Sequence, residues 1–502
     1  MKLKTLLFKS GIDYSANFAD VDIVKIVSDS RLSCENCLYV CIKGLHQDGH
    51  LFIDDAIAAG AVAVIVEDGV AFEQYDDIIF ISVPKTRKAL SHLFNAWYGM
   101  PSDKMKYIAV TGTNGKTSVT YILKKIFEAS LYRCGLIGTI SCLSMDRRLI
   151  SDNMDKTANM TTPDPEQLYA MLADMVNDGV EYVFVEASSH ALALDKLSPI
   201  HFTATVFTNF TSEHLDFHGS MQNYLDAKKK IFSISSVVII NKDLLYYKDI
   251  TSSLKCKKIT CSQHDNTANY RASNIINNGL EGVCYKLHSP FGLLNIKSRL
   301  PGHFMIMNTL EAAACALELG VSRQIVEQAI FSITSIDGRL ERVDLGDEVA
   351  FDVFIDYAHT PDALENLLSS VQQFKRKDQK ITLLFGCGGD RDKYKRPVMG
   401  EIATRLADRV IITSDNCRNE DPQSIINDII LGIEGRKNFE VIVDRSEAIE
   451  HAVFSAKDRD IIILAGKGHE LYEINRGKRY PFSEKKIVSD SLKKRLLSNV
   501  DK

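Results

Sequence analysis

One stretch constrains the fold of this chain more than any other: "MKYIAVTGTNGKTSVTYILKKIFEAS", which begins at Met105. An apolar run, a Gly-rich turn and an amphipathic helical pattern follow one another, as they do in parallel α/β sheets. The backbone N–H groups from Gly112 to Thr117, together with the helix N-terminus, can surround a polyphosphate. Lys116 can then reach its oxygens while Thr117 binds magnesium. The stretch therefore predicts a nucleoside-triphosphate site.

The glycines in this stretch follow the short GTNGKT spacing rather than GxxxxGK[ST], because position 110 is Val. The alternative interpretation is a Gly-rich turn with an incidental lysine. The apolar run before the turn and the helical pattern after it favour the phosphate site.

Alternation of strand-like runs and helical patterns continues along the whole chain and divides it into three blocks. A length of 502 residues also suggests about three domains. A Pro-containing linker at 98–105 ends the first block, and the second ends near residue 335. We predict an α/β protein with domains at 1–103, 104–335 and 336–502. The central sheet is expected to be mostly parallel and P-loop ATPase-like, and the last domain Rossmann-like.

Composition excludes several classes of function. The net charge is −5 and no block of like charges occurs, so neither a nucleic-acid partner nor a membrane partner is expected. No segment reads as a secretion signal or a membrane span, and we expect a cytoplasmic protein. Eleven cysteines in no repeating frame indicate reduced thiols. The single CxxC, Cys34 with Cys37, has no second pair to complete a zinc site.

Candidate magnesium ligands follow the Gly-rich turn. Glu186 ends the apolar run in "YVFVEASSH", where a P-loop fold keeps an acid for its magnesium. Residues 208–232 add His214, Asp216, His218 and three consecutive lysines. Taken alone, these histidines are surface or core residues, and Lys228 to Lys230 form the solvent-exposed face of a helix.

A second polar loop, "SDNCRNEDP" at 414–422, follows the strand-like run "RVIIT". Ligands of open α/β sheets bind beyond the carboxyl ends of the strands, so a loop of mixed charge predicts recognition of a small zwitterion. The alternative for Arg418 is a surface salt bridge with Glu420 or Asp421.

These motifs occur in a recognisable order with four others, "GRLERV", "DYAHTPDALEN", "FGCGGDRDKYKRP" and "GKGHE". Together they resemble the Mur ligases, in particular the UDP-N-acetylmuramoyl-tripeptide synthetases. The early "SDSR" and "GLHQDGHLF" are similar to that family's uridine-nucleotide domain, so the resemblance covers nearly the whole chain.

The resemblance implies an ATP-dependent amide synthesis in the cytoplasmic stage of peptidoglycan assembly, carried out by a monomer with Mg²⁺. A free carboxylate of UDP-N-acetylmuramoyl-L-alanyl-D-glutamate would take the γ-phosphoryl group of ATP. The acyl phosphate would then be attacked by the amine of meso-diaminopimelate or of L-lysine. Such chemistry needs positioning and neutralisation of the transferring phosphoryl group.

The resemblance also assigns roles to residues, of which Lys116, Glu186, His214 and a carbamylated Lys228 would be catalytic. Those implied to hold ATP are Gly112, Thr113, Asn114, Gly115, Lys116, Thr117, Ser118, Asn308, Arg339 and Asp356, with His359 at the domain interface. The implied metal ligands are Thr117, Glu186, His214 and Lys228. Residues implied to bind the nucleotide-linked substrate are Ser30, His46, Thr161, Thr162, Ser188 and Lys196. Those implied to bind the amino acid are Arg391, Asp415, Asn416, Arg418, Gly466 and Glu470.

Diaminopimelate is favoured over lysine because it carries an extra carboxylate beside its distal ammonium. Arg418 can pair with that carboxylate and Glu470 with the ammonium. The sequence DNCR has Cys417 where relatives that use diaminopimelate have Pro, which frees the φ angle of this position.

Three other functions are weighed against this one. A folylpolyglutamate synthetase would share the phosphate loop and the modified lysine, but it lacks a uridine-nucleotide domain. A P-loop switch or motor would turn over nucleotide without an amine acceptor. A nucleotide-binding scaffold would not need an intact Lys116, Glu186 and His214.

Overall fold

The structure is a computed structural model that describes residues 1–14, 18–44, 47–73, 75–149, 160–252, 254–346 and 349–500. Its strands form three large sheets and one two-stranded hairpin. The predicted α/β class, with mostly parallel sheets, is confirmed.

The N-terminal unit is a four-stranded parallel sheet with strand order β1-β2-β3-β4. Its strands are β1 (Lys25–Val27), β2 (Cys37–Val40), β3 (Ala61–Glu67) and β4 (Ile79–Val83), and its helices are α1 (Leu3–Lys9), α2 (Ile53–Ala58) and α3 (Thr86–Trp97). The run of Val, Ile and Ala in β3 is almost continuously buried, as expected for a parallel strand covered on both faces.

The central unit is built on an eleven-stranded sheet. Its strands are β5 (Lys106–Thr111), β6 (Cys134–Ile137), β7 (Cys142–Ser144), β8 (Arg147–Arg148), β9 (Tyr182–Glu186), β10 (Phe202–Phe207), β11 (Val237–Asn241), β12 (Lys257–Ser262), β13 (Tyr270–Asn277), β14 (Val283–Ser289) and β15 (Gly292–Ser298). Its helices are α4 (Lys116–Ala129), α5 (Pro165–Asn177), α6 (Ser189–Ala193), α7 (Leu215–His218), α8 (Met221–Lys229), α9 (Tyr247–Thr251), α10 (Phe304–Glu318) and α11 (Arg323–Ser332).

Strand β5, which precedes the Gly-rich turn, lies between β10 and β9 in the middle of this sheet and pairs with both in parallel. Helix α4 buries Val119, Ile122, Leu123 and Ile126, which recur at helical spacing along one face. The predicted strand, turn and helix are therefore formed as expected, with the turn at the carboxyl end of a central strand.

The C-terminal unit holds a six-stranded sheet of order β16-β17-β21-β18-β19-β20, parallel except for β16. Its strands are β16 (Glu341–Arg342), β17 (Asp352–Asp356), β18 (Ile381–Phe385), β19 (Arg409–Ile412), β20 (Phe439–Val441) and β21 (Ile461–Ala465), with the hairpin β22 (Tyr472–Asn475) and β23 (Lys478–Pro481). Its helices are α12 (Pro361–Phe374), α13 (Lys395–Leu406), α14 (Pro422–Ile430), α15 (Arg445–Ser455) and α16 (Glu484–Val500).

Strands β17, β21, β18 and β19 are neighbours, so the polar loops that follow them share one edge of the sheet. We propose domain limits at 103/104 and 335/336, because each lies between the last helix of one unit and the first strand of the next. None of the helices in the described ranges has the length and apolar character to cross a membrane.

Candidate active site

The Gly-rich turn between β5 and α4 requires glycine at two positions. Gly112 has a φ of +145° and Gly115 a φ of +84°. A Cβ atom on Gly112 would lie 2.0 Å from Oγ1 of Thr208, and one on Gly115 would lie 2.8 Å from Oδ1 of Asn308. Only glycine combines these φ angles with so little space. The buried Asn308, in α10, therefore lies directly against the turn.

The other side chains of the turn hold it to its surroundings. Lys116 donates hydrogen bonds from Nζ to two carbonyl oxygens of the turn, at 2.6 and 3.1 Å, and burial lowers its pKa. Thr113 is buried, as is Ser118 within α4. Asn114 donates from Nδ2 to the carboxylate of Asp362 at 2.5 Å, which links the turn to α12 of the C-terminal unit.

Thr117 and Glu186 lie together, as the magnesium prediction requires. The hydroxyl of Thr117 donates to Oε2 of Glu186 at 3.0 Å, and Glu186 is almost fully buried. Thr139 donates to both carboxylate oxygens, from its backbone N–H at 3.0 Å and its hydroxyl at 2.9 Å. Arg339 reaches the same point from the C-terminal unit, donating from Nη2 to Oγ1 of Thr117 at 2.9 Å. Oxygen donors of this kind suit Mg²⁺.

The interpretation of Lys228 as part of a solvent-exposed face is wrong. Its side chain is buried, and Nζ donates to the carbonyl oxygen of Gly112 at 2.7 Å. Burial lowers the pKa of Lys228 well below its ordinary value, and the neighbouring Lys116 lowers it further. His214, at the start of α7, is neutral near pH 7, because burial lowers its pKa to about 3.

Glu213 belongs to this cluster, although the sequence analysis did not select it. Its carboxylate lies 3.6 Å from Nε2 of His214 and 3.9 Å from Nε2 of His359 in the C-terminal unit. Oε2 is buried without a hydrogen-bond partner in the described part of the chain. Its position directly before His214 in "TSEHLD" is the sequence feature that could have identified it.

Among the described residues, no group of three or more His, Cys, Asp and Glu side chains is arranged to hold a metal ion. A magnesium site here would therefore also draw on hydroxyl groups, a modified lysine and phosphate oxygens.

Asp356 orders the loops of the C-terminal unit that face the nucleotide turn. Its buried carboxylate accepts from the backbone N–H groups of Leu340, at 2.6 Å, and Ala358, at 2.7 Å. Burial raises the pKa of Asp356, and the charge of Arg339 opposes that rise. Asp356 therefore fixes the backbone at Leu340 and at Ala358, and with it the loop that carries Arg339.

Asn416 and Glu470 meet at the carboxyl edge of the C-terminal sheet. Asn416 donates from Nδ2 to Oε2 of Glu470 at 2.7 Å. Its Oδ1 accepts from Nζ of Lys467 at 3.1 Å and from the backbone N–H of Ile474 at 2.9 Å. The amide of Asn416 thus positions Glu470, Lys467 and the backbone at Ile474. Burial, and then the charge of Asp415, raise the pKa of Glu470 to about 7.

Gly466 and Asp415 lie in close contact at this same edge of the sheet. A Cβ atom on Gly466, whose φ is +115°, would lie 2.7 Å from Oδ2 of Asp415. Burial acts to raise the pKa of Asp415, but Lys467, whose Nζ lies 3.6 Å from the carboxylate, Arg445 and the backbone N–H of Asn416 together outweigh burial, and the pKa is lowered. Asp415 is therefore ionised and held by Lys467.

The alternative interpretation of Arg418, a surface salt bridge with Glu420 or Asp421, is wrong. Glu420 pairs with the buried Arg396 at 2.9 Å, and Asp421 caps α14. Arg418 instead donates from Nη1 to the carbonyl oxygen of Gly389 at 2.7 Å. Its guanidinium has no carboxylate partner among the residues that the structure describes. It is therefore available to an anionic ligand.

Arg391 lies beside Arg418 and faces the central unit. Burial, and then the charge of Arg391, lower the pKa of Arg418. Burial also lowers the pKa of His190 in α6, and the charge of Arg391 lowers it further. Arg391 therefore lies between Arg418 and the central unit.

The residues of the central unit that are expected to bind the nucleotide-linked substrate lie close to Glu186. Thr162 donates from its hydroxyl to the carbonyl oxygen of Glu186 at 2.7 Å, and Ser188 caps α6. Lys196 pairs with Asp164 at 2.8 Å. Thr161 accepts a hydrogen bond from Thr139 at 3.1 Å, which places this group next to the predicted magnesium site.

Two further residues predicted for that substrate belong to the N-terminal unit. Ser30 begins the 3₁₀ helix Ser30–Leu32, which is capped by the carboxylate of Asp29. His46 lies outside the described residues.

Comparison with known proteins agrees with this architecture. Family profiles described as "Mur ligase family, catalytic domain", "Mur ligase middle domain" and "Mur ligase, glutamate ligase domain" match residues 22–98, 110–316 and 338–468. A central phosphate-loop unit between two smaller α/β units is thus the framework of an amide-forming ligase. The chain belongs to the Mur ligase family, and the resemblance drawn from its motifs is confirmed.

Three similar proteins share one activity in their names, UDP-N-acetylmuramoyl-L-alanyl-D-glutamate–2,6-diaminopimelate ligase. The protein of Clostridioides difficile strain 630 is 39% identical over 498 residues, 98% of this chain and 100% of its own. That of Clostridium tetani is 37% identical over 500 residues, 98% of this chain and 99% of its own. A solved structure of a ligase with this name is 29% identical, with a TM-score of 0.67 over 99% of this chain and 100% of its own.

Proposed function

We propose that this chain is an ATP-dependent ligase that joins meso-diaminopimelate to UDP-N-acetylmuramoyl-L-alanyl-D-glutamate. The observation that carries the proposal is the convergence of three groups on one cleft. Thr117 of the phosphate turn bonds to Glu186, the buried Lys228 bonds to the turn, and the charge of Arg391 acts both on His190 in the central unit and on Arg418. The names of the similar proteins support the choice of both substrates.

The reaction has two steps. A carboxylate oxygen of the glutamyl residue attacks the γ-phosphorus of ATP, and ADP leaves. The amine of diaminopimelate then attacks the acyl carbon, loses a proton, and phosphate leaves with the carboxylate oxygen. An amine does not displace oxide from a free carboxylate, so phosphorylation supplies the leaving group.

The residues of the turn hold and neutralise the phosphates. Backbone N–H groups from Gly112 to Thr117 and the N-terminus of α4 attract the polyphosphate. Lys116, now bonded to two carbonyl oxygens, can turn to the β- and γ-phosphates. Arg339 adds a positive charge from the C-terminal unit, so that closure of the two units completes the site.

Thr117 and Glu186 would hold one magnesium ion, and His214 with Lys228 a second. Bound magnesium would neutralise the phosphate oxygens during transfer. Lys228 suits this role as a carbamate, because its burial and lowered pKa favour the uncharged amine, the form that adds carbon dioxide to become an anion. Glu213, between His214 and His359, would hold these groups in place across the two units.

The N-terminal unit and the 161–196 region of the central unit would bind the uridine nucleotide and the muramoyl peptide. Ser30, His46, Thr161, Thr162, Ser188 and Lys196 are the residues that we assign to this substrate. The presence of the N-terminal unit, matched by its own family profile, disfavours a folylpolyglutamate synthetase. We further propose that the enzyme acts as a monomer in the cytoplasm, where its nucleotide substrates are made.

The guanidinium of Arg418, which has no carboxylate partner among the described residues, favours diaminopimelate over lysine. A carboxylate removed from water requires a charge-assisted partner, and lysine has no distal carboxylate to offer. Glu470 would take the distal ammonium, and Asn416 orients Glu470.

The test is ADP release by the purified chain with ATP, Mg²⁺ and the UDP-muramoyl dipeptide. We expect release only when diaminopimelate is added, with lysine at least tenfold less effective in kcat/KM. Oxygen label in the glutamyl carboxylate should appear in the released phosphate. ADP release without an amino acid would instead indicate a nucleotide hydrolase.

A further inference from the structure

A cavity of about 700 Å³ lies between the N-terminal and central units. The N-terminal wall consists of the residues that follow α1, the end of β4 and the first half of α3. The opposite wall consists of the turn after α6 and the 3₁₀ helix Lys230–Ile234. The residues assigned to ATP, to the nucleotide-linked substrate and to the amino acid do not line it.

Both walls present a buried polar atom that lacks a partner. Nε2 of His92 on α3 and Oγ of Ser198 after α6 have no hydrogen-bond partner among the described residues. Both residues line the cavity. An unsatisfied buried polar atom is unfavourable, and a ligand that forms hydrogen bonds with both atoms would remove that cost.

The charged residues that line the cavity indicate the charge that such a ligand would carry. Lys85 and Lys88 line the cavity and form no ion pair in the ranges that the structure describes. Lys230 is already paired with Asp195 at 3.1 Å, and Asp13 contributes one negative charge. The remaining walls are apolar and include Ile12, Val83, Pro84, Leu192, Leu197 and Ile234. Two free ammonium groups above an apolar surface suit an organic anion with an apolar body.

One turn connects the cavity to the substrate side of the central unit. Asp195, held at a φ of +53°, lines the cavity and pairs with Lys230. The next residue, Lys196, turns the other way and pairs with Asp164 beside Thr162. Asp195 and Lys196 are thus consecutive residues whose side chains pair on opposite sides of the turn, one at the cavity and one beside Thr162.

We propose that this cavity binds a small organic anion, a phosphate or carboxylate on an apolar group, and that its occupancy alters affinity for the nucleotide-linked substrate. The binding site stands on its own geometry, whereas the effect on that substrate rests on the proposed function. The two parts are therefore measured separately.

The first experiment titrates the full chain with phenyl phosphate, benzoate and inorganic phosphate by calorimetry. Phenyl phosphate or benzoate should bind with one site per chain, and the tighter of the two identifies the anionic group. The double variant Lys85→Ala/Lys88→Ala should bind at least tenfold more weakly, and His92→Phe should also weaken binding. The matched double variant Lys248→Ala/Lys255→Ala removes two exposed lysines elsewhere and should bind as the wild type does.

No saturable binding, or equal loss in both double variants, overturns the site. Inorganic phosphate binding as tightly as phenyl phosphate overturns the role of the apolar walls. The second experiment measures the Kd of the UDP-muramoyl dipeptide with and without saturating phenyl phosphate. We expect a shift of threefold or more that reaches a limit and is absent in Lys85→Ala/Lys88→Ala. A shift that grows without limit indicates one shared site and overturns the proposal, whereas failure of catalysis alone leaves the first experiment intact.

Discussion

The side-chain amide of Asn416 donates a hydrogen bond of 2.7 Å to the carboxylate of Glu470, joining the loop after β19 to the loop after β21. These loops lie 54 residues apart in the chain. Strands β19 and β21 flank β18, so the two loops share one edge of the sheet. The bond places an acid beside the guanidinium of Arg418, as a ligand with a distal ammonium and carboxylate requires.

Replacing Arg418 should separate amino-acid binding from nucleotide binding. Arg418→Ala and Arg418→Lys should raise the KM for diaminopimelate by one to several orders of magnitude, at about 1.4 kcal/mol per tenfold. Lysine keeps the charge but loses the fork of donors, so it should rescue only part of the loss. Steady-state kinetics with each substrate varied in turn measures this. The KM for ATP should stay within about twofold, and equal rises in both constants would contradict the assignment.

Glu470 should give diaminopimelate binding a pH dependence. Burial, and then Asp415, raise its pKa to about 7. Below that pH the carboxyl is protonated and neutral, so its attraction for an ammonium is lost; above it the carboxylate is charged and the attraction is present. The KM for diaminopimelate should therefore rise as pH falls, approaching about tenfold per unit below pH 7.

Glu470→Gln isolates this effect. The variant should have a high KM for diaminopimelate that changes little between about pH 6 and about pH 8. The KM for ATP over the same range serves as the control. A slope in the Gln variant as steep as in the wild type would assign the titration to another group.

Local sequence pattern was sufficient to predict the phosphate turn and its helix. The glycines, Lys116 and Thr117 are within six residues, and their conformation follows from the strand before and the helix after. The loop that carries Arg418 was predicted by the same reasoning, since a polar segment followed an apolar run. The resemblance then supplied roles that short-range pattern could not.

The contacts that could not be predicted from the sequence are those between strands or units that lie far apart in the chain. The insertion of β21 between β17 and β18 decides that Glu470 meets Asn416, and no local signal encodes strand order. The burial of Lys228 follows from the packing of α8 against the phosphate turn, whereas "DAKKK" alone predicts exposed lysines. Glu213 belongs to the site because it lies close to His359, a residue of another unit that the local sequence around Glu213 does not indicate.

The phosphate turn can be tested with a matched pair of glycine substitutions. Gly115 and Gly69 have φ angles of +84° and +80°. A Cβ atom at 115 would lie 2.8 Å from Asn308, whereas one at 69 has nothing within 4 Å. Both alanine variants should lose about 1–2 kcal/mol of stability from the left-handed backbone. Only Gly115→Ala should also raise the KM for ATP, by about tenfold or more.

Thermal unfolding and ATP kinetics on the two variants measure these effects. Gly69→Ala reports the backbone cost alone, because it lies in the N-terminal unit after β3. A comparable change in the KM for ATP in both variants would mean that general destabilisation, rather than the shape of the turn, accounts for the loss.

Lys228 should be required for catalysis as a carbamate. Its buried amine lies 2.7 Å from the carbonyl oxygen of Gly112, and burial lowers its pKa, which favours the uncharged form that reacts with carbon dioxide. The product is an anion where the sequence shows a cation. Lys228→Ala should lower kcat by about two orders of magnitude or more, while its half-buried neighbour in Lys229→Ala should leave kcat nearly unchanged. Carbon-13 NMR of enzyme equilibrated with labelled carbon dioxide should show one carbamate signal that is lost in Lys228→Ala and kept in Lys229→Ala. Full activity in carbon dioxide-free buffer without that signal would show that the unmodified amine is the working form.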